Sequence, residues 1–332
     1  MKKIRELFAV ILALCIFTGI TCGAGWLLLP PLKNCGINWD QFLREERDSL
    51  DVLYFGSSIT YCDMIPAVVW EESGLTSYVM GGPEQTPAVT YRYLRQACKT
   101  QSPQAVVVEL HGLFFEPYPD GIKLDLLYMP WGLDRIQAAL QGAAPADRLE
   151  SLFPLYGVHD RVYSVTPETL SVRLSRQTDP YAGYALLTEA QPLSAPLDYP
   201  DKLNADHYRK RIGYLRKISD FCARKEIKLV FCLAPVYGNF PQDRLDDLRR
   251  DLASIPHALF LDCGDSTWPD FDPQTQWFDF LHLNLYGAEP FSRRLARELK
   301  GLGLETAHSG FGQLWQERYD LVWKELAGEE DG

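Results

Sequence analysis

The chain has no Cys-x-x-Cys pair and no cysteine–histidine cluster at zinc spacing. That removes the zinc modules and the dithiol redox enzymes. It has no glycine-rich phosphate loop and no group of side chains spaced to hold a metal, so neither a nucleotide nor a metal cofactor is expected. Basic residues are the minority, 33 Lys and Arg against 44 Asp and Glu, for a net charge of −11. An acidic chain repels phosphate backbones, which excludes a nucleic-acid role. The acidity is spread out, with only a short acidic tail at 329–331, and reads as a solubilising surface. No internal repeat is present. What remains is ordinary globular composition, 46% hydrophobic and 23% charged over 332 residues, enough for one large domain or two small ones. Of the eight cysteines, Cys98, Cys222 and Cys232 sit inside apolar patterns. They read as buried thiols rather than a disulfide framework, leaving room for an isolated bridge at most.

The longest uncharged stretch is at the amino terminus. Lys2, Lys3 and Arg5 precede Leu7–Leu29, which carries no charge, and Pro30 and Pro31 follow. That length suits one bilayer-spanning helix. With the basic residues on the cytoplasmic side, everything after Pro31 is expected outside. A cleaved signal peptide has a shorter apolar core, so an uncleaved anchor over residues 1–32 is the preferred reading. A connector, 33–50, with a short helix at Trp39–Arg47, leads into the main domain.

The stretch that organises this domain is DVLYFGSSITYCDMIP, residues 51–66. Asp51–Phe55 reads as a buried strand, Gly56 as a sharp turn, and two serines precede the next apolar helix. Strand, glycine turn, serine and helix is how α/β enzymes hold a nucleophile at a sheet edge. Further strands are expected at Ser77–Met80, Ala105–Leu110, Ile227–Ala234 and Ala258–Asp262. Helices are expected near Pro66–Ser73 and at Thr86–Thr100, Asn204–Lys225, Asp243–Leu252 and Gly287–Lys300. Alternating strands and helices imply a parallel five-stranded sheet in a three-layer α/β/α sandwich. Residues 113–200, rich in Pro, Tyr and Leu, break this rhythm as an insertion, a cap or a substrate-facing subdomain, with helical stretches at Asp134–Leu140 and Ala146–Phe153. A final amphipathic helix, Phe311–Ala327, is expected to pack on the domain.

In open parallel sheets, ligands sit beyond the carboxyl ends of the strands, where strand order reverses. Ser57 and Ser58 follow strand one, Gly81–Gln85 follows strand two, and His111 follows strand three. With strand order 2-1-3-4-5 the three loops meet. A serine needs a base, and Asp279-Phe280-Leu281-His282 supplies one. Three apart on a helical turn, the two side chains would share a face. The aspartate then orients the imidazole and leaves its other nitrogen free to take a proton. An Asp and His that merely cap the following helix are the structural alternative.

Gly56-Ser57-Ser58, Asp279-x-x-His282 and Gly287 together resemble the SGNH/GDSL serine hydrolases, over roughly residues 50–110 and 204–300. The resemblance implies a flavodoxin-like SGNH fold over 51–304, Ser58 as nucleophile, His282 as base, Asp279 as its partner, and no cofactor. Ser57 stands where the family has aspartate. The oxyanion hole would use the N–H of Ser58 with that of Gly82 or Glu84. The family's third-block asparagine is missing after Glu109-Leu110, and His111 is its candidate replacement. The nearest resemblance is to divergent membrane-anchored branches that act in alginate O-acetylation and teichoic-acid D-alanylation, beside membrane-bound O-acyltransferases. It implies an extracytoplasmic esterase or acyltransferase acting on O-acyl groups of a cell-envelope polysaccharide. The alternatives are an impaired envelope component of this fold and a carbohydrate-binding protein.

Weaker candidates lie elsewhere. His159 and Arg161 could contact an anionic or sugar substrate or be structural. Trp268 and Trp277 could stack on sugar rings or pack in the core. Tyr181, Gly183 and Tyr184 could line the cleft or pack.

Overall fold

A computed structural model describes residues 2–29, 39–116, 119–153, 155–156, 166–174, 178–198, 204–264 and 267–327. His159, Arg161, Pro30, Pro31 and the tail at 329–331 lie outside the described residues.

The strands of the main sheet are short runs of β-branched and aromatic residues. In chain order, the strands are β1 (Val52–Phe55), β2 (Ser77–Val79), β3 (Ala105–Glu109), β4 (Leu197–Asp198), β5 (Lys228–Leu233), β6 (Gly238–Asn239) and β7 (Ala258–Asp262). Five of them form one parallel sheet in the order β2-β1-β3-β5-β7, and β4 and β6 pair separately. Strand order reverses at β1, which lies between β2 and β3. Sequence and structure agree on these five main strands.

Side chains alternate across the sheet, as the two-residue period of a strand requires. Leu53, Phe55, Val106, Val108, Leu229 and Phe231 enter one apolar core. Val52, Tyr54, Val107, Val230 and Cys232 enter the other. Helices Pro87–Ala97, Ala205–Arg224 and Gln242–Ala253 close the first core; helices Ser58–Asp63, Pro66–Ser73 and Leu285–Gly301 close the second. Burial on both faces explains why VVVEL reads as almost continuously apolar. The thiols of Cys232 and Cys263 meet at 3.2 Å in the second core.

The insertion is more helical than its proline-rich sequence suggests, with helices Pro119–Tyr128, Leu133–Gly142, Arg148–Leu152 and Pro167–Leu174. It is not a separate unit, because Leu126, Met129, Ala138 and Ala139 complete the first core. Its last part runs along the edge of β2, where the Val79 N–H donates to the Ala182 carbonyl at 2.9 Å. Gly183, at φ 86, passes there so closely that a Cβ would lie 2.2 Å from the Val79 carbonyl oxygen. Tyr184 packs in the second core.

The connector helix is much shorter than expected. The helix expected at Trp39–Arg47 is the single turn Trp39–Phe42. Trp39 and Phe42 are buried, and the chain then turns so that Glu45 meets Arg318 at 2.6 Å in the interior. Arg318 belongs to helix Gly312–Ala327, which docks on the domain through Trp315 and Val322 and leaves Trp323 exposed. At the amino terminus, Lys2–Leu28 is one helix long and apolar enough to cross a membrane.

Phe231 is 1% exposed in a central strand, whereas Leu259 on edge strand β7 is 41% exposed. Phe231→Ala is expected to cost about 3–5 kcal/mol of unfolding free energy. Leu259→Ala should change it by about 0.5 kcal/mol or less. Urea denaturation of the two variants measures the difference.

Candidate active site

Gly56 ends β1 at φ 151, where a Cβ would lie 2.3 Å from Thr60 Oγ1 and 2.7 Å from Glu109 Cβ. Only glycine fits this turn. Ser57 then precedes helix Ser58–Asp63 in extended conformation, without a capping bond from its side chain, and Ser58 opens the helix. As the first helical residue, Ser58 has an N–H with no intrahelical acceptor.

The second segment does not form the helical turn expected for Asp279 and His282. It is a tight loop closed by a bridge between Trp277 and Leu283. The Phe278 N–H donates to the His282 carbonyl at 2.9 Å. Asp279 Oδ1 accepts the N–H groups of Leu281 and His282, at 2.8 and 2.9 Å. This aspartate therefore folds the loop as well as facing the ring. Its two oxygens are both 2.9 Å from His282 Nδ1. A carboxylate only accepts, so Nδ1 carries the proton and Nε2 is an acceptor. The Ser58 hydroxyl lies 2.7 Å from Nε2 and donates to it.

The carboxylate stays charged. Burial pushes the Asp279 pKa up, but the hydrogen bond and charge of His282 and the two backbone N–H groups outweigh it, so the net shift is down.

The two segments are 220 residues apart and are clamped by Asp63, at the end of the Ser58 helix. Its Oδ1 accepts the N–H of Leu283, next to His282, at 3.0 Å. The Ser292 hydroxyl donates to the Asp63 carbonyl and accepts the Ile65 N–H. Downstream, Asn284 caps helix Leu285–Gly301 by accepting from Tyr286 and Gly287. Gly287 is needed because a Cβ would lie 2.3 Å from the Gln276 carbonyl oxygen. Pro290 cannot donate to the Tyr286 carbonyl, and Gln276 Nε2 donates there instead at 3.1 Å.

The three loops expected to meet do so. The Gly82 N–H donates to the Gly56 carbonyl at 3.1 Å. This corrects Gly82 as an oxyanion donor, because its hydrogen already bonds the backbone of the serine turn. Glu84, at φ 54, is the other residue expected in that role. Helix Pro119–Tyr128 covers this loop. Asp125 lies so close over Gly82 that a Cβ there would be 1.9 Å from its Oδ1. Burial, then the charge of Glu84, push the Asp125 pKa well up.

His111 is buried after β3. Glu109 Oε1 accepts its N–H at 2.7 Å and lies 2.5 Å from its Nδ1. Glu109 Oε2 accepts the Ser57 hydroxyl at 3.0 Å. One buried carboxylate thus ties the loop after β3 to the residue preceding Ser58.

Trp277 is 3% exposed, packed edge-on against Phe271 and beside Tyr237. It supports the histidine loop from within the core, which corrects the sugar-stacking alternative. Trp268 is likewise buried, against Phe291. Sequence reasoning missed Asp63 and Glu109. The available signal was an acid in an otherwise apolar run, since a buried acid needs a partner. No group of metal-ligating side chains occurs among the described residues.

Burial pushes the Asp63 pKa well up, the Leu283 N–H partly opposes this, and the charges of Glu109 and Asp279 add to it. Its folded pKa lies above its unfolded value, so the folded chain holds a proton that the unfolded chain releases. The stability due to Asp63 is then full below about pH 4 and declines as pH rises toward the folded pKa. Asp63→Asn keeps the acceptor and cannot ionise. It should match wild type near pH 4 and gain on it by up to about 1.4 kcal/mol per pH unit above that. Denaturation from pH 4 to 8 measures this; parallel curves would refute it.

A comparison with protein-family models finds no match, and a comparison with curated proteins finds none either.

Proposed function

We propose that the chain is a serine esterase or acyltransferase of the SGNH type, with Ser58 as nucleophile. The observation that carries this reading is the line Ser58 Oγ–His282 Nε2–His282 Nδ1–Asp279, with contacts of 2.7 and 2.9 Å. Nothing in a structural Asp–His cap requires a serine hydroxyl at the far ring nitrogen.

In the proposed reaction, Ser58 Oγ attacks an ester carbonyl while His282 Nε2 takes its proton. The imidazolium is stabilised by Asp279, whose carboxylate stays ionised. The tetrahedral oxyanion is held by the Ser58 N–H and an N–H at Glu84, with His111 as a third candidate. Collapse expels the alcohol, which receives the proton from Nε2. Water or a sugar hydroxyl then gives its proton to Nε2 and attacks the acyl-serine; collapse releases the acid or the transferred ester, and Nε2 returns the proton to the departing Ser58 Oγ. Hydrolysis and transfer differ only in that acceptor.

We take the substrate class to be O-acyl groups of a cell-envelope polysaccharide. The resemblance to membrane-anchored SGNH branches supports this, together with the N-terminal helix. In this reading Lys2–Leu28 anchors the chain with Lys2, Lys3 and Arg5 in the cytoplasm, the catalytic domain lies outside, and a membrane-bound O-acyltransferase is the partner. A second reading, an envelope component with impaired chemistry, is favoured by one observation. The Gly82 N–H is engaged by Gly56, and loss of an oxyanion donor costs about 3–4 kcal/mol of transition-state stabilisation.

A fluorophosphonate probe on the full chain separates the two. Covalent labelling at Ser58, absent in Ser58→Ala, is expected of the enzyme. No labelling of wild type would leave the non-catalytic component. Asp279→Asn should lower kcat on an aryl acetate by about 10³–10⁴-fold through the wrong imidazole tautomer. An unchanged kcat would remove Asp279 from the mechanism.

A further inference from the structure

The apolar helix is exposed to its surroundings from Lys3 to Ile20, but from Thr21 onward most of it is covered by the protein. Gly25 is buried, Trp26 Nε1 donates to Asp40 Oδ2 at 3.2 Å, and Leu28 and Leu29 pack on Leu127 and Tyr128. The uncharged stretch begins at Leu7. The freely exposed part, 7–20, therefore spans only about 21 Å at 1.5 Å per residue. A hydrocarbon core is about 30 Å thick. If the helix crosses a bilayer, its covered last turns must still lie at membrane depth, and so must the surface that covers them.

That surface belongs to the insertion and is apolar on the outside. Trp131, Leu133, Leu149, Phe153 and Tyr156 are 43–75% exposed. They are close together. The Trp131 and Phe153 rings are 5.9 Å apart, and Arg135 lies 4.6 Å over Trp131. Arg135 also donates to the carbonyls of Ser151 and Leu152, binding the two insertion helices together. Leu149 and Phe153 are four apart on one side, and the Tyr156 N–H donates to the Phe153 carbonyl. Cys22 of the apolar helix lies within electrostatic range of Arg135. Soluble surfaces rarely gather so many large apolar side chains, and Trp and Tyr favour the lipid–water boundary.

We infer that this face of the insertion lies in the lipid–water interface of the membrane that helix Lys2–Leu28 crosses. The inference rests on the membrane-spanning reading of that helix and is independent of the catalytic one. With a net charge of −11, the chain gains nothing from anionic headgroups, so the contact is apolar and needs no acidic lipid. The insertion is thereby a second attachment that fixes the orientation of the domain above the bilayer.

The test places the photoreactive residue p-benzoylphenylalanine in the full chain at Leu149, at Leu14 within the exposed helix, or at Leu259 on β7. Each variant is reconstituted in phosphatidylcholine nanodiscs, irradiated and analysed by mass spectrometry. Lipid adducts are expected at 149 and 14 and not at 259. Adducts at 14 without any at 149 overturn the inference and leave the spanning helix intact. Cross-links from 149 to a second copy of the chain overturn it in favour of self-association. Equal lipid adducts at 259 overturn it as non-specific. No adduct at 14 removes the spanning helix and the inference with it.

Discussion

One buried hydrogen bond sets the geometry on which the rest depends. The Leu283 N–H donates to Asp63 Oδ1 at 3.0 Å. It joins the last residue of the Ser58 helix to the residue after His282. Each partner is short-tethered to its functional side chain, by about 1.4 helical turns and by one peptide bond. The position of an imidazole relative to a hydroxyl thus follows from a buried carboxylate gripping the backbone of the histidine loop rather than from two flexible side chains. This kind of support holds reacting groups within a few tenths of an ångström.

The site concentrates acids in low dielectric. Asp63 senses the charges of both Glu109 and Asp279. Three ionised carboxylates so close would repel, and the structure handles each differently. Asp279 is partly exposed and held ionised by four donor contacts from its own loop. Glu109 is bound by the Ser57 hydroxyl and by the backbone and ring of His111. Asp63 has one donor and its pKa rises well above the usual carboxylate range. Environments that push like groups apart are a recurring way to give them separate roles. Here two of the three serve geometry, and only Asp279 faces the imidazole.

The insertion links the two ends of the molecule. Its first helix covers the 82–84 loop through Asp125, while Tyr128 and Leu127 receive the end of the apolar helix. Its last part bonds the β2 edge at Ala182, the Ser58 helix through Ala185 to Tyr61, and the start of helix Leu285–Gly301 through Leu187. Parts of the insertion therefore touch the apolar helix, the glycine loop and the histidine loop.

The sequence by itself determined the parallel α/β core. Strands buried on both faces are read as apolar runs, and helices show their 3.6-residue stripe in any context. It also determined Gly56 as a turn and Ser58, Asp279 and His282 as the residues to watch, because the chemistry restricts which residue types can serve. Tertiary structure decided what depends on partners remote in sequence. Whether the Gly82 N–H points outward or toward Gly56, whether Trp277 offers a face or fills the core, and whether Asp279 lies on a helix or in a stapled loop are contacts across the fold. Local periodicity carries no information about them. Asp63 and Glu109 were illegible for the same reason, since a lone acid in an apolar run shows that a partner is needed but not which one. The insertion helices Leu133–Gly142 and Arg148–Leu152 were legible, but Pro119–Tyr128 and Pro167–Leu174 were not, because prolines mask a short helix whose stability comes from packing rather than propensity.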